Sequence, residues 1–237
     1  MAKKIKFLDI PVLTGDREGI CDSIYDKLGR GEKFHLITLN ALMVNHAFEE
    51  TSFFKVLKSG LCVNDSVGIR LASFILTGSD IENFPGIEIF YNLCAFFASK
   101  HTRIFVYGST EAVNEAAAAK LKRRFPGINI CGRLNGYSPE ALKIIKKAKP
   151  GFLFAALDSP RQERWLNEHL PELECAGMGI GGTLDVFSGK LRRANPVFRA
   201  AGFEWLGRLL REPSRAGRIM RLPVFFARII KIYFSRR

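Results

Sequence analysis

Residues 103–131 read RIFVYGSTEAVNEAAAAKLKRRFPGINIC, and this stretch decides the fold class. The run 103–107 is mostly apolar and rich in residues that favour strands. Gly108-Ser109-Thr110 then supply a tight turn. Residues 111–125 are rich in alanine and fit a helix, which Pro126-Gly127 closes. Residues 128–131 begin another apolar strand.

The same alternation extends in both directions. Downstream, Ser138-Pro139 open a helix over 138–148, and 151–157 is a strand. A loop at Asp158-Ser159-Pro160 leads to a helix over 162–170, a strand over 174–178 and the run Gly179-Ile180-Gly181-Gly182-Thr183. Upstream, 34–38 is a short apolar strand, and Asn40 can cap a helix containing Leu42, Met43 and Phe48. Residues 61–63 form the next strand, before Asn64-Asp65-Ser66 and a helix through Ile69, Leu71 and Ile75. A loop over 82–85 precedes a helix over 86–99. Repeated β-α units predict an α/β fold: a Rossmann-like, mostly parallel sheet flanked by helices. Ligands bind at the carboxyl ends of the strands of such sheets. The loops to inspect are therefore 38–40, 64–68, 108–110, 157–162 and 179–183.

The charge is unevenly placed. The 237 residues carry a net +13, and 47% are hydrophobic, enough for a sizeable core. Residues 190–237 contain 13 Lys/Arg against Glu204 and Glu212, a net +11, so the body before them is nearly neutral. This divides the chain into an α/β catalytic core over 1–195 and a basic, helical, amphipathic appendage over 196–237. Arg208, Arg211, Arg215 and Arg218 would form one stripe on a helix, although Pro213 interrupts it. Beyond them Phe225, Phe226, Ile229, Ile230 and Tyr233 mix with Arg221, Arg228 and Lys231, the composition of a helix lying in an anionic membrane surface. A helix packed on the core with a solvated basic face has the same composition. So much aliphatic surface speaks against a nucleic-acid arm.

Five single cysteines show no disulfide framework or zinc spacing, and the four histidines show no ligand pattern. No run of about 18 apolar residues suggests a membrane span, and Asp9 and Pro11 interrupt any apolar leader region. Asp65, between a strand and a helix, can act as a general base or as an N-cap, and position alone favours the cap. Thr38 and Asn40 can bond a sugar hydroxyl or a phosphate, or cap and turn the chain. Gln162 can point into the crevice or occupy a solvated first turn. Gly108-Ser109 and Gly181-Gly182 are small enough to let backbone N–H groups approach a phosphate, with plain turns as the alternative.

At these residues the chain resembles the WecG/TagA/CpsF glycosyltransferases of bacterial cell-surface polymer synthesis. The resemblance rests on Thr38-Leu39-Asn40, Val63 to Ile69, Phe105 to Gly108, Ser159 to Glu163 and Gly179 to Asp185. It continues through Arg193-Ala194, Gly202 to Leu206, and Glu212-Pro213 with Arg215 and Arg218. The resemblance implies an inverting transferase that moves a hexose or N-acetylhexosamine-type sugar from a UDP-sugar to a polyprenyl-diphosphate-linked saccharide. It implies Asp65 as catalytic base, Thr38, Asn40 and Gln162 as substrate contacts, and Arg208, Arg215 and Arg218 meeting the diphosphates. No metal or other cofactor is implied. Implied partners are the UDP-sugar donor, the lipid-linked acceptor and the inner face of the cytoplasmic membrane, with no nucleic acid; a homo-oligomer stays open. One departure stands out. The family's Arg-x-x-Gly-x-Asp segment reads Asn83-Phe84-Pro85-Gly86-Ile87-Glu88, so a cation expected at residue 83 is absent. That departure motivates the alternative of a non-catalytic, membrane-associated scaffold of the same fold.

Overall fold

A computed structural model describes residues 1–191, 217 and 220–235. The elements run β1 (Lys3–Phe7), β2 (Ile10–Thr14), α1 (Arg17–Gly29), β3 (His35–Leu39), α2 (Ala41–Glu49), α3 (Thr51–Ser59), β4 (Leu61–Asn64) and α4 (Val67–Thr77). They continue with α5 (Gly86–Lys100), β5 (Arg103–Gly108), α6 (Glu111–Arg124), β6 (Asn129–Leu134), α7 (Ala141–Ala148) and β7 (Phe152–Ala156). The last are α8 (Arg161–Leu173), β8 (Ala176–Gly179), α9 (Thr183–Ser188) and, after residues outside the description, α10 (Arg221–Ser235). The eight strands form one sheet in the order β1-β2-β4-β3-β8-β7-β5-β6, parallel except for the β1–β2 pair.

The interior strands β3, β4, β7 and β8 are buried along their whole length. A parallel strand covered on both faces favours apolar residues at successive positions, which is why these segments are mostly apolar, with His35, Thr38 and Asn64 as buried polar exceptions. One large core cluster includes Ile20 and Ile24 of α1, Phe90 and Phe97 of α5, Leu121 of α6 and Phe187 of α9. A second joins α2, α3 and α4 with Phe225 and Ile229 of α10. A third lies under α7 and α8. All five cysteines are free thiols.

Three features depart from the sequence reading. The β1–β2 hairpin and α1 are additional elements. The hairpin turns on Leu8 and Asp9, both at positive φ, without the Asn-Gly or Asp-Gly that usually marks such a turn. β1 is an edge strand, and its Lys3, Lys4 and Lys6 suit an edge that must not pair further. The helix expected over 138–148 begins at Ala141, whereas α8 continues through Pro171 to Leu173. Finally, Phe225 and Ile229, expected at a lipid surface, are wholly buried against the core.

Candidate active site

The carboxyl end of β4 is held by one side chain. Asn64 is fully buried; its Oδ1 accepts from the Ser66 N–H at 2.8 Å, and its Nδ2 donates to the carbonyls of Ile81 (3.2 Å) and Glu82 (3.3 Å). The Phe84 N–H donates back to the Asn64 carbonyl at 2.8 Å. The loop between α4 and α5 is thereby stitched onto the strand end. Ser66, not Asp65, caps α4, its hydroxyl accepting from the Gly68 N–H at 3.1 Å.

Asp65 is left to do something else. Its N–H donates to the Leu39 carbonyl at 2.9 Å, continuing the β3–β4 ladder. Its Oδ1 accepts from the N–H of Gly86, the first residue of α5, at 2.8 Å. A Cβ on Gly86 would lie 3.0 Å from Thr38 Cγ2 and 3.3 Å from Thr38 Oγ1. Thr38, Asp65 and the amino end of a 15-residue helix therefore meet at one point on the carboxyl edge of the sheet. Asn40 stands beside them, but its Oδ1 accepts from the N–H groups of Leu42 and Met43, both at 3.0 Å, so this oxygen caps α2.

A cation does reach the Asn83–Glu88 segment, and it comes from α1. Arg17 donates from Nη1 to Glu88 Oε2 at 2.5 Å and from Nη2 to the Asn83 carbonyl at 3.4 Å. Its Nε lies 3.4 Å from Glu82 Oε1, and its guanidinium covers the Phe84 ring. One positive charge thus sits between two carboxylates, which leaves the cluster with an excess of negative charge.

Gln162 is buried on the first turn of α8 and packs against Gly179, where a Cβ would come within 2.6 Å of its Nε2. Its Oε1 accepts from the Gly181 N–H at 2.8 Å and its Nε2 donates to Glu163 Oε1 at 2.7 Å. In this arrangement Gln162 braces the loop after β8. Burial pushes the Glu163 carboxyl up from 4.5 to about 7, against the hydrogen bond from Gln162, which favours the charged form. The folded protein therefore holds this proton more tightly than the unfolded chain. The resulting stability is fully present below pH 4.5 and is lost as the pH rises to about 7. Urea titrations from pH 4.5 to 7.5 are expected to show the wild type losing up to about 3 kcal/mol more than Glu163→Gln over this window. Identical pH profiles for the two proteins would refute the assignment.

The turn after β5 is equally constrained. Gly108 has φ +118°, and a Cβ there would lie 2.3 Å from the Ala156 carbonyl oxygen. The Ser109 N–H donates to that oxygen at 2.8 Å, and the Ser109 carbonyl accepts from the Gly136 N–H at 2.9 Å. Asn114 of α6, fully buried, donates to the carbonyls of Val106, Gly108 and Leu134. The N–H groups of Ser109 and Gly181 are therefore engaged within the protein. Beside the Ser109 turn, Tyr137 stands exposed on a loop held by Arg161, which donates to the Gly136 carbonyl at 2.9 Å. The sequence reading passed over Arg17 and Tyr137, which belong to no local motif, and it placed Asn64 and Glu163 inside motifs without giving either a role. Gly182 has open space where a side chain would go. Arg208, Arg215 and Arg218 lie outside the described residues. Among the described residues, no three His, Cys, Asp or Glu side chains converge in a way that could hold a metal ion.

Residues 5–237 match the model of the Glycosyl transferase WecG/TagA/CpsF family. The chain belongs to this family. Among relatives, the N-acetylglucosaminyldiphosphoundecaprenol N-acetyl-beta-D-mannosaminyltransferases of Staphylococcus aureus strains MW2 and NCTC 8325 / PS 47 are each 31% identical over 201 residues. Those matches cover 83% of this chain and 79% of each relative. As a WecG/TagA/CpsF glycosyltransferase, the protein is an enzyme, and its place is in the synthesis of cell-wall polymers.

Proposed function

We propose that this glycosyltransferase moves an N-acetylhexosamine, with N-acetylmannosamine the first candidate, from its UDP derivative to a saccharide carried on a polyprenyl diphosphate. The observation that carries the reading is the junction of Asp65, Thr38 and the Gly86 N–H at the carboxyl edge of β3 and β4. In this reading the acceptor hydroxyl attacks the anomeric carbon as its proton passes to Asp65. The bond from that carbon to the UDP oxygen breaks on the opposite side, so configuration inverts in one displacement. Thr38 and Asn40 orient the sugar, and Gln162 sets the shape of the β8 loop against it. The turns at Gly108-Ser109 and Gly181-Gly182 shape the nucleotide end, where the exposed Tyr137 ring offers a stacking face for the base. Arg208, Arg215 and Arg218 neutralise the diphosphates.

The names of the relatives support the sugar and the lipid-linked acceptor. The charge around Arg17 supports a neutral sugar: with Glu82 and Glu88 both bound to it and Asp65 close by, a uronic acid donor would bring a fourth carboxylate near the site. The lipid-linked acceptor and the basic appendage support work at the inner face of the cytoplasmic membrane. Incubation with a panel of UDP-sugars and N-acetylglucosaminyl-diphospho-lipid tests the reading. UDP release is expected with UDP-N-acetylmannosamine and not with its uronic acid. Release with no donor would overturn the transfer, and preference for the uronic acid would overturn the charge argument.

A further inference from the structure

Two polar side chains are buried side by side on the first turn of α8, Gln162 at 4% exposed and Glu163 at 1%. The Gln162 amide is clamped at both ends, since its Oε1 accepts from the Gly181 N–H and its Nε2 donates to Glu163 Oε1. Turning the amide over would set its oxygen against the Glu163 oxygen and its N–H groups against the Gly181 N–H. Glu163 therefore decides which way round Gln162 stands, and through it where the loop after β8 lies. Glu163 Oε2, by contrast, is buried with no hydrogen-bond partner among the described residues. A carboxylate in that place would keep a charged oxygen from water without a donor, so the surroundings favour the neutral acid.

Among the described residues, no cation stands close enough to offset a charge at Glu163. α8 packs chiefly against β3, β7, β8, α3 and α7. β7 and β8 carry no ionisable side chain, and His35 of β3 is kept neutral by its own burial. Lys55 and Lys58 of α3 and Lys143, Lys146 and Lys147 of α7 are exposed. On α8 itself, Arg164 turns to Glu50 and His46, and Arg161 to the Gly136 carbonyl. The Asp158 carboxylate, on the loop before α8, opposes ionisation; the Gln162 amide and the Ser159 hydroxyl favour it without outweighing burial.

We propose that Glu163 is a positioning residue of the transfer: uncharged, it holds Gln162 and the Gly181-Gly182 turn in the shape that accepts the UDP diphosphate, and its ionisation weakens donor binding. The inference rests on the transferase reading. A carboxylate at Glu163 would stand two hydrogen bonds from the Gly181 turn, adding negative charge behind the place where the diphosphate binds. It would also draw in water or shift the turn to find a donor for Oε2, and either change loosens Gln162. Donor uptake is then tied to one proton at Glu163. Binding the diphosphate favours the protonated acid, and loss of the proton lowers the fraction of protein competent to bind.

Donor saturation curves from pH 6 to 8.5 with the full chain test this. The wild-type KM for the UDP-sugar is expected to rise by at least about fivefold and at most about thirtyfold, the limit set by an acid that titrates at about 7. Glu163→Gln keeps an acceptor for Gln162 and cannot ionise, so its KM should change by less than about twofold over the same range. Glu163→Leu removes the acceptor as well. Its donor KM should be raised at least about tenfold at pH 6 and should not vary with pH, with kcat changed by less than about threefold. Calorimetric titration with UDP alone at pH 8, in Tris and in HEPES, reads the proton without turnover. The wild type should take up close to one proton per UDP and Glu163→Gln none. The same rise in KM for Glu163→Gln, or equal proton uptake by the two proteins, overturns the proposal. So does a wild-type KM at pH 6 in Glu163→Leu; if that variant fails to fold, the glutamine comparisons decide alone. Proton uptake by the wild type only, with no turnover of any donor, would sink the transferase reading and leave the coupling standing; turnover with a flat wild-type KM would do the reverse.

Discussion

Asp65→Asn is expected to lower kcat by ~10²–10⁴-fold, the usual contribution of a general base, with KM for the donor changed by less than about threefold. The substitution separates two roles. An asparagine Oδ1 can still accept the Gly86 N–H that Asp65 now accepts at 2.8 Å, so the junction with α5 should keep its geometry and the melting temperature should hold. What is lost is a group that takes a proton. Asp65→Ala removes both roles and should lower stability as well as rate. Initial rates of UDP release with thermal melts on the same preparations check this. An asparagine variant with wild-type kcat would show that Asp65 only fastens α5 to the sheet.

Gly108→Ala is expected to destabilise the protein by more than about 3 kcal/mol, or to prevent soluble expression. The added Cβ would meet the Ala156 carbonyl oxygen at 2.3 Å and its carbon at 2.5 Å, at a φ of +118° that alanine adopts only with strain. Neither side can yield easily. The Ala156 oxygen is fixed by the Ser109 N–H, and the Gly108 oxygen by Asn114. Gly182→Ala serves as the control: nothing lies within 4 Å of its Cβ position and its φ is −70°, so a change of less than about 0.5 kcal/mol is expected. Urea unfolding of both variants gives the comparison, and equal midpoints would contradict the close approach of β5 to β7.

The parallel sheet was legible because its buried strands have a compositional signature. Residues 152–156 read FLFAA without a polar break, and Gly, Pro and Asx residues mark the ends of such runs. The β1–β2 hairpin was not legible, since its lysines belong to an edge strand and its turn uses Leu8 and Asp9. The same limit applies to the site. A carboxylate at the end of β4 could be read from the sequence, but its use could not. Cap and base look alike when only neighbouring residues are in view. Three contacts of the strand-end loops span long separations: Asp65 with Gly86, 21 residues apart, Gln162 with Gly181, 19 apart, and Arg17 with Glu88, 71 apart.

By itself, then, the sequence determined the alternation of strands and helices, the family and the basic character of the carboxyl-terminal region. These are properties of local order, periodicity and composition, which a chain carries whether or not it is folded. Only the tertiary structure decided that Ser66 takes the cap and Asp65 turns to α5. It also decided that Arg17 occupies the place beside Asn83, and that one apolar face of α10 is buried while the other is exposed. Each of these depends on which distant backbone amide, charge or apolar face packing brings within reach, and that is a property of the folded sheet and its helices rather than of any segment.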